Sequence, residues 1–207
     1  MFNKLQYISR GATSKEQLDH ISQALDAGCQ WIQLRIKNCE EGKLNELGEA
    51  VKKMCTAYRA TLIINDRPLL AKAIDADGVH LGLADMSIAG AFEIIGKGKI
   101  VGGTANTLQD VLQRVDEGCS YIGLGPFRFT TTKESLSPVL GLEGYKNIMN
   151  EMKIRDIPTP VYAIGGILSE DIMPILQTGV YGVAVSGLIT LYPDKKELVK
   201  EINALML

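Results

Sequence analysis

The residues that most often mark a site are scarce in this chain: among 207 positions there are two histidines, one tryptophan and four cysteines. The cysteines, Cys29, Cys39, Cys55 and Cys119, are scattered, with no C-x-x-C pair and no histidine at metal-ligand spacing. That excludes a zinc site and a disulfide framework and leaves reduced, structural thiols. A charge excess is missing too: 22 lysines and arginines face 24 aspartates and glutamates, a net charge of -2. No broad basic surface is offered to nucleic acid or anionic lipid, so the expected partners are small molecules. Long apolar runs are also absent. The least polar stretch, Thr178 to Pro193, is broken by glycine, serine and threonine and falls short of the roughly 20 apolar residues of a membrane helix. It reads as a buried strand with its turns. Met1 to Gln6 show no basic segment followed by an apolar run, so the expected location is the cytoplasm.

Glycine, by contrast, is plentiful, with 21 residues against an average of about 7% of a chain. Its placement repeats. Ala27-Gly28-Cys29-Gln30-Trp31-Ile32-Gln33-Leu34 matches in pattern Glu117-Gly118-Cys119-Ser120-Tyr121-Ile122-Gly123-Leu124 and Thr178-Gly179-Val180-Tyr181-Gly182-Val183-Ala184-Val185. A fourth copy, Ile74 to Leu81, has Asp75 in the glycine slot. In each, a helical pattern ends, a left-handed residue caps it, and an apolar strand begins about three residues later.

The same alternation predicts eight strands, near 5 to 9, 31 to 36, 61 to 65, 78 to 82, 99 to 104, 121 to 125, 160 to 164 and 182 to 186. Helical patterns lie between them, such as the one that Thr13-Ser14-Lys15-Glu16 opens as a capping box ahead of Leu18, Ile21 and Leu25. Eight such units suit a closed parallel barrel with helices outside, whose usual size is roughly 250 residues. The expected fold class is therefore α/β, a single-domain (βα)8 TIM barrel spanning residues 1–207. The competing open, doubly wound sheet would carry an early glycine-rich dinucleotide loop, and the first strand ends instead in Ile8-Ser9-Arg10-Gly11-Ala12. Pro174 sits awkwardly within the helical pattern after the seventh strand.

In such a barrel the chemistry lies at the carboxyl ends of the strands. Alternation along Trp31 to Lys37 puts Gln33, Arg35 and Lys37 on one face, turned into the barrel, and the apolar residues on the face toward the helices. Two cations there must meet either acids on neighbouring strands or an anionic ligand. The third strand is followed by Asn65-Asp66-Arg67-Pro68 and the fourth by Asp85. Either aspartate alone reads as a helix cap; the two together, beside the cations, suit a magnesium-bound diphosphate. His80 reads as a packed interior histidine and His20 as surface.

Gly102-Gly103-Thr104 closes the fifth strand, where the glycines either admit a ligand to the backbone or form a tight turn, and Thr104 offers a hydroxyl. From Gly125 to Gly141 no regular structure is evident, and Thr130, Thr132 and Lys133 there could close over an anion. Gly165-Gly166 and Ser186-Gly187, after strands seven and eight, mark the usual phosphate site of such barrels.

Taken together, these segments resemble the thiamine phosphate synthase (thiamin-phosphate pyrophosphorylase) family. The resemblance rests on Gln33-Leu34-Arg35-Ile36-Lys37, Ile64-Asn65-Asp66-Arg67, Ala76-Asp77-Gly78-Val79-His80-Leu81-Gly82, Gly125-Pro126 with Thr130-Thr131-Thr132-Lys133, and Ala163-Ile164-Gly165-Gly166-Ile167, in the family's order. It implies joining of hydroxymethylpyrimidine diphosphate to hydroxyethylthiazole phosphate, giving thiamine phosphate and pyrophosphate with the aid of Mg2+. By position, Asp66 and Asp85 would hold the metal; Arg35, Lys37, Asn65 and Lys133 the diphosphate; Gln33 and Thr104 the pyrimidine side. Thr130, Thr132, Gly166 and the Ser186-Gly187 backbone would receive the thiazole phosphate. Arg35, Lys37, Lys133 and Thr104 would carry the catalysis.

The sequence departs from the family at Leu83, where glutamine is usual, at Thr104 for serine, at Asn106 for histidine, and at Ser186-Gly187-Leu188 for valine-serine-alanine. Two rival readings are a thiazole tautomerase, which needs no diphosphate site, and a non-catalytic phosphometabolite-binding barrel. The implied partners are the two small substrates, with room for a homo-oligomer and none for nucleic acid or membrane.

Overall fold

The computed structural model describes residues 2–36, 40–129 and 138–206. Eight parallel strands close into a barrel in chain order: β1 Leu5–Ile8, β2 Trp31–Leu34, β3 Thr61–Asn65, β4 Gly78–Leu81, β5 Ile100–Ala105, β6 Tyr121–Leu124, β7 Val161–Ile164 and β8 Gly182–Val185. The seam is β8 on β1, with Leu5, Gln6 and Tyr7 in register with Val183, Ala184 and Val185. Around it run α1 Ser14–Asp26, α2 Glu41–Ala57, α3 Pro68–Ala73, α4 Ile88–Ile95, α5 Leu108–Asp116, α6 Gly141–Ile154, α7 Ile172–Leu176, α8 Gly187–Leu191 and α9 Lys195–Ala204. This is the (βα)8 barrel that the repeated joint implies. At that joint Gly28, Gly118, Gly179 and Asp75 all take positive φ. Arg59 and Asp156 do the same after α2 and α6, where no glycine signals it.

Thr13 caps α1 by accepting from the Glu16 amide at 3.2 Å, while the Glu16 carboxylate reaches back to the Ala12 amide at 2.6 Å. Pro174 falls in the first turn of the five-residue α7, after a 3-10 turn over Ser169–Asp171. A proline there removes no helical hydrogen bond. The stretch from Thr178 to Pro193 is not only a strand with turns: it holds β8 and then α8.

Two apolar layers form the core. The larger lies between strands and helices and takes Ile32, Leu34, Leu62 and Ile64. The smaller fills the barrel at its amino-terminal end, where Trp31, Ile63, Tyr121, Tyr162 and Ala184 meet under Phe2. Trp31 packs edge-on to Tyr121 at 5.1 Å and to Tyr162 at 5.0 Å, and Tyr121 packs edge-on to Tyr162 at 5.5 Å. Such pairs add about 0.5–1.5 kcal/mol each beyond the area they bury. The inward face of β2 is therefore not wholly polar: Trp31, two residues before Gln33, shares it and seals the barrel below. Among the described residues, the barrel's open space lies above, at the carboxyl ends of the strands.

Cys29, Cys55 and Cys119 are buried free thiols, and burial pushes each up to about 12. Cys39 lies outside the described residues. Among the described residues no helix is long and apolar enough to cross a membrane.

Candidate active site

Above the aromatic layer the eight strand ends enclose a cavity of about 900 Å3, which is lined from every strand. Gln33, Arg35, Asn65, Asp66, Asp85, Thr104, Gly166, Ser186 and Gly187 all face it. Lys37, Thr130, Thr132 and Lys133 lie outside the described residues.

The carboxylates come from neighbouring strands. Asp66 follows β3 with φ of +61°, its amide held at 2.8 Å by the His80 carbonyl of β4. Asp85 folds back over the turn after β4 and accepts from the Gly82 amide at 2.6 Å. Their carboxyl groups lie close enough to act on each other. Burial pushes the Asp66 carboxyl up to about 6, helped by Asp85 and its charge, while Arg35 and Asn65 pull it back. Arg35 lies just past the end of β2; its amide donates to the Ser9 hydroxyl at 2.9 Å and its carbonyl accepts from Gln17 at 3.0 Å. Gln17 also donates to the Gly11 carbonyl, so α1 fixes both the β1 and β2 loops.

The floor of the cavity is polar. Tyr121 accepts from Gln6 at 3.3 Å, and the Gln33 side chain acts on the same hydroxyl. His80 spans from Tyr121 to Thr104, 3.0 Å from each hydroxyl. This is the packed interior histidine read from the sequence, but it also lines the cavity. His20 is only partly exposed, with Nδ1 2.5 Å from the Arg10 carbonyl oxygen.

The glycines of β5 serve side chains rather than a ligand. A Cβ on Gly102 would lie 2.2 Å from Cζ of Tyr121, and one on Gly103 would lie 2.7 Å from Cδ of Arg114. Arg114, buried on α5, donates to the carbonyls of Thr104 and Gly82 at 3.1 and 2.9 Å and pairs with Glu117 at 2.6 Å. It braces from behind the two strand ends that carry Thr104 and Asp85.

Across the barrel, Gly165 and Gly166 have φ of +93° and +68° and press against the loop after β6. Arg128 ties those loops together, donating to the Gly166 carbonyl at 2.7 Å and to both carboxylate oxygens of Asp171 at 2.8 and 3.0 Å. Gly187 opens α8, and a Cβ there would lie 3.4 Å from a guanidinium nitrogen of Arg10.

Arg10, Gln6, Tyr121 and Arg114 escaped the sequence reading. Period-two alternation gives the signal for Tyr121, two residues before the inward Gly123; Arg114 looks like any helical surface cation. Asn106 is buried and donates to the Gly125 carbonyl, while Leu83 is largely exposed.

A family model described as thiamine monophosphate synthase matches residues 5–189. A curated protein of Flavobacterium psychrophilum, named thiamine-phosphate synthase, is 58% identical over 203 residues, 98% of each chain. Among solved structures, thiamine phosphate pyrophosphorylase from Pyrococcus furiosus superposes with a TM-score of 0.84 at 32% identity, covering 98% of this chain and 95% of that one. A 3-hexulose-6-phosphate synthase superposes at 0.73 with 17% identity, a likeness of fold alone.

Proposed function

This chain belongs to the thiamine monophosphate synthase family and is a transferase, and from that premise we propose how its cavity couples hydroxymethylpyrimidine diphosphate to hydroxyethylthiazole phosphate. One observation carries the reading: nine of the candidate residues, from six strand ends, converge on one cavity. The acids and Arg35 stand on the β2 to β4 side, and the glycine loops stand on the β7 to β8 side. Two anions gripped at opposite walls leave their reactive carbon and nitrogen facing each other between them. In well-oriented systems such proximity is worth about 7–11 kcal/mol.

The donor set fits Mg2+. Among the described residues no three His, Cys, Asp or Glu side chains gather as a ready-made metal cage. Magnesium, however, is commonly held by one or two carboxylates and completed by substrate phosphates and water. Asp66 and Asp85 supply two hard oxygen donors whose mutual repulsion a divalent cation relieves. When bound, the ion would neutralise charge on the departing pyrophosphate.

Arg35, with Lys37 and Lys133, binds the diphosphate and stabilises the charge that grows on it as the carbon–oxygen bond breaks. The bond's electron pair leaves with pyrophosphate. The pyrimidine methylene cation that remains is captured by the lone pair of the thiazole nitrogen, forming the new carbon–nitrogen bond. Gln33, Asn65 and Thr104 orient the first substrate; Thr130, Thr132, Gly166 and the Ser186-Gly187 backbone hold the phosphate of the second.

Purified protein given both substrates and Mg2+ is expected to yield thiamine phosphate and pyrophosphate, with Asp66→Asn and Lys133→Ala losing turnover while remaining folded. Rearrangement of the thiazole alone would assign an isomerase instead, and tight binding without turnover a sensor; either result overturns the proposal.

A further inference from the structure

The hydrogen bonds beneath the cavity favour one assignment of protons. A phenol oxygen has two lone pairs and one hydrogen to give. At Tyr121 the Gln6 amide donates to the phenol oxygen at 3.3 Å, and the Gln33 side chain on the neighbouring inward face favours the same accepting role. Its proton is then given to Nδ1 of His80 at 3.0 Å. An imidazole that accepts at Nδ1 and is neutral carries its hydrogen on Nε2, and that atom lies 3.0 Å from Oγ1 of Thr104. The threonine hydroxyl thus accepts from His80, and its own proton must find another acceptor. Thr104 lines the cavity.

We infer that Tyr121 is a positioning residue: from below the site its hydroxyl fixes the Nε2–H tautomer of His80, and His80 in turn makes Thr104 a donor to an acceptor atom of the bound substrate. The inference rests on the coupling reaction for the identity of that substrate, but the hydrogen-bond chain stands without it. Tyr121, Gln6, Gln33, His80 and Thr104 are all buried, and the Tyr121 hydroxyl lies below the cavity lining, where hydrogen bonds between side chains are strengthened. The two rings are also fixed in place. Trp31 and Tyr162 hold the Tyr121 ring between their edges. Gly102 and Gly123 clear the room: a Cβ on the first would lie 2.7 Å from Nδ1 of His80, and one on the second 3.0 Å from its Cε1. A glycine pair on adjacent strands that admits a tyrosine and a histidine is a built arrangement, since smaller apolar side chains would fill the barrel without it.

The direct test is the nitrogen-15 spectrum of the histidine rings in the full-length, substrate-free protein. There are two histidines, and His20→Gln assigns the signals. The expected pattern for His80 at neutral pH is a pyridine-like Nδ1 and a pyrrole-like Nε2; a pyrrole-like Nδ1, or an imidazolium, overturns the inference. Tyr121→Phe keeps the ring and removes the hydroxyl. It should release the tautomer to an average of the two forms and lower kcat/KM for the pyrimidine diphosphate roughly tenfold, the scale of one lost hydrogen bond. The KM for thiazole phosphate should stay unchanged, which a general structural defect would not allow. A variant with wild-type tautomer and wild-type turnover also overturns the inference. If the variant does not fold, the wild-type spectrum decides. Wild-type protein without turnover would sink the coupling reaction and leave the spectrum to judge the tyrosine.

Discussion

Asp66 and Asp85, which follow adjacent strands, bring their carboxyl groups close enough to interact directly. Two carboxylates make that contact only by holding a proton between them or a cation beside them. The pair therefore links stability to pH and, on the proposed function, to Mg2+.

In the folded protein the Asp66 carboxyl rises from 3.8 to about 6, chiefly through burial and then through Asp85. A raised value means that the folded state holds the proton more tightly than the unfolded one. This contribution to stability is complete below about pH 4 and is lost as pH rises through 6. Asp85→Asn removes the repulsion, so at pH 8 without metal it should be more stable than wild type by about 1 kcal/mol, a figure reduced because the pair is partly solvated. The gap should close toward pH 4. Added Mg2+ should raise the melting temperature of the wild type and leave that of the variant nearly unmoved. Denaturation at the two pH values, with and without the ion, measures all of this, and a variant no more stable at pH 8 would refute it.

Arg114→Leu should be costly although Arg114 does not line the cavity. The guanidinium is buried and serves the Thr104 and Gly82 carbonyls and Glu117 together. Leucine removes the charged donor that all three groups share, at about 2–4 kcal/mol. Chemical denaturation reads the loss, and a change under about 0.5 kcal/mol, the range of ordinary surface substitutions, would deny Arg114 its bracing role.

At Gly102 a single methyl group would enter the Tyr121 ring, since its Cβ lies 2.2 Å from Cζ. Gly102→Ala should cost about 1–3 kcal/mol by overpacking. Gly98→Ala, whose methyl meets nothing within 4 Å, is the control and should be near neutral. Equal stability of the two variants would contradict the packing described.

Much of this was legible in the sequence because both signals involved are local. The joint of helix, left-handed residue and strand recurs visibly at Gly28, Gly118 and Gly179, and alternation fixed the inward face of β2 at Gln33. The Arg59 and Asp156 joints were not visible, because a side chain with positive φ leaves no compositional mark. The acids were found because each lies within four residues of the end of its strand. Tyr121 and Arg114 were not found, since their roles depend on partners far apart in the chain: Tyr121 meets His80 41 residues away, and Arg114 meets Gly82 32 residues away. The glycines of β5 were misread for the same reason, because what they make room for comes from β6 and α5.

The aromatic plug of Phe2, Trp31, Tyr121 and Tyr162 gives the barrel a blind end. Traffic is consequently one-way in and the same way out. Whatever binds in the cavity and whatever leaves it must share that single mouth.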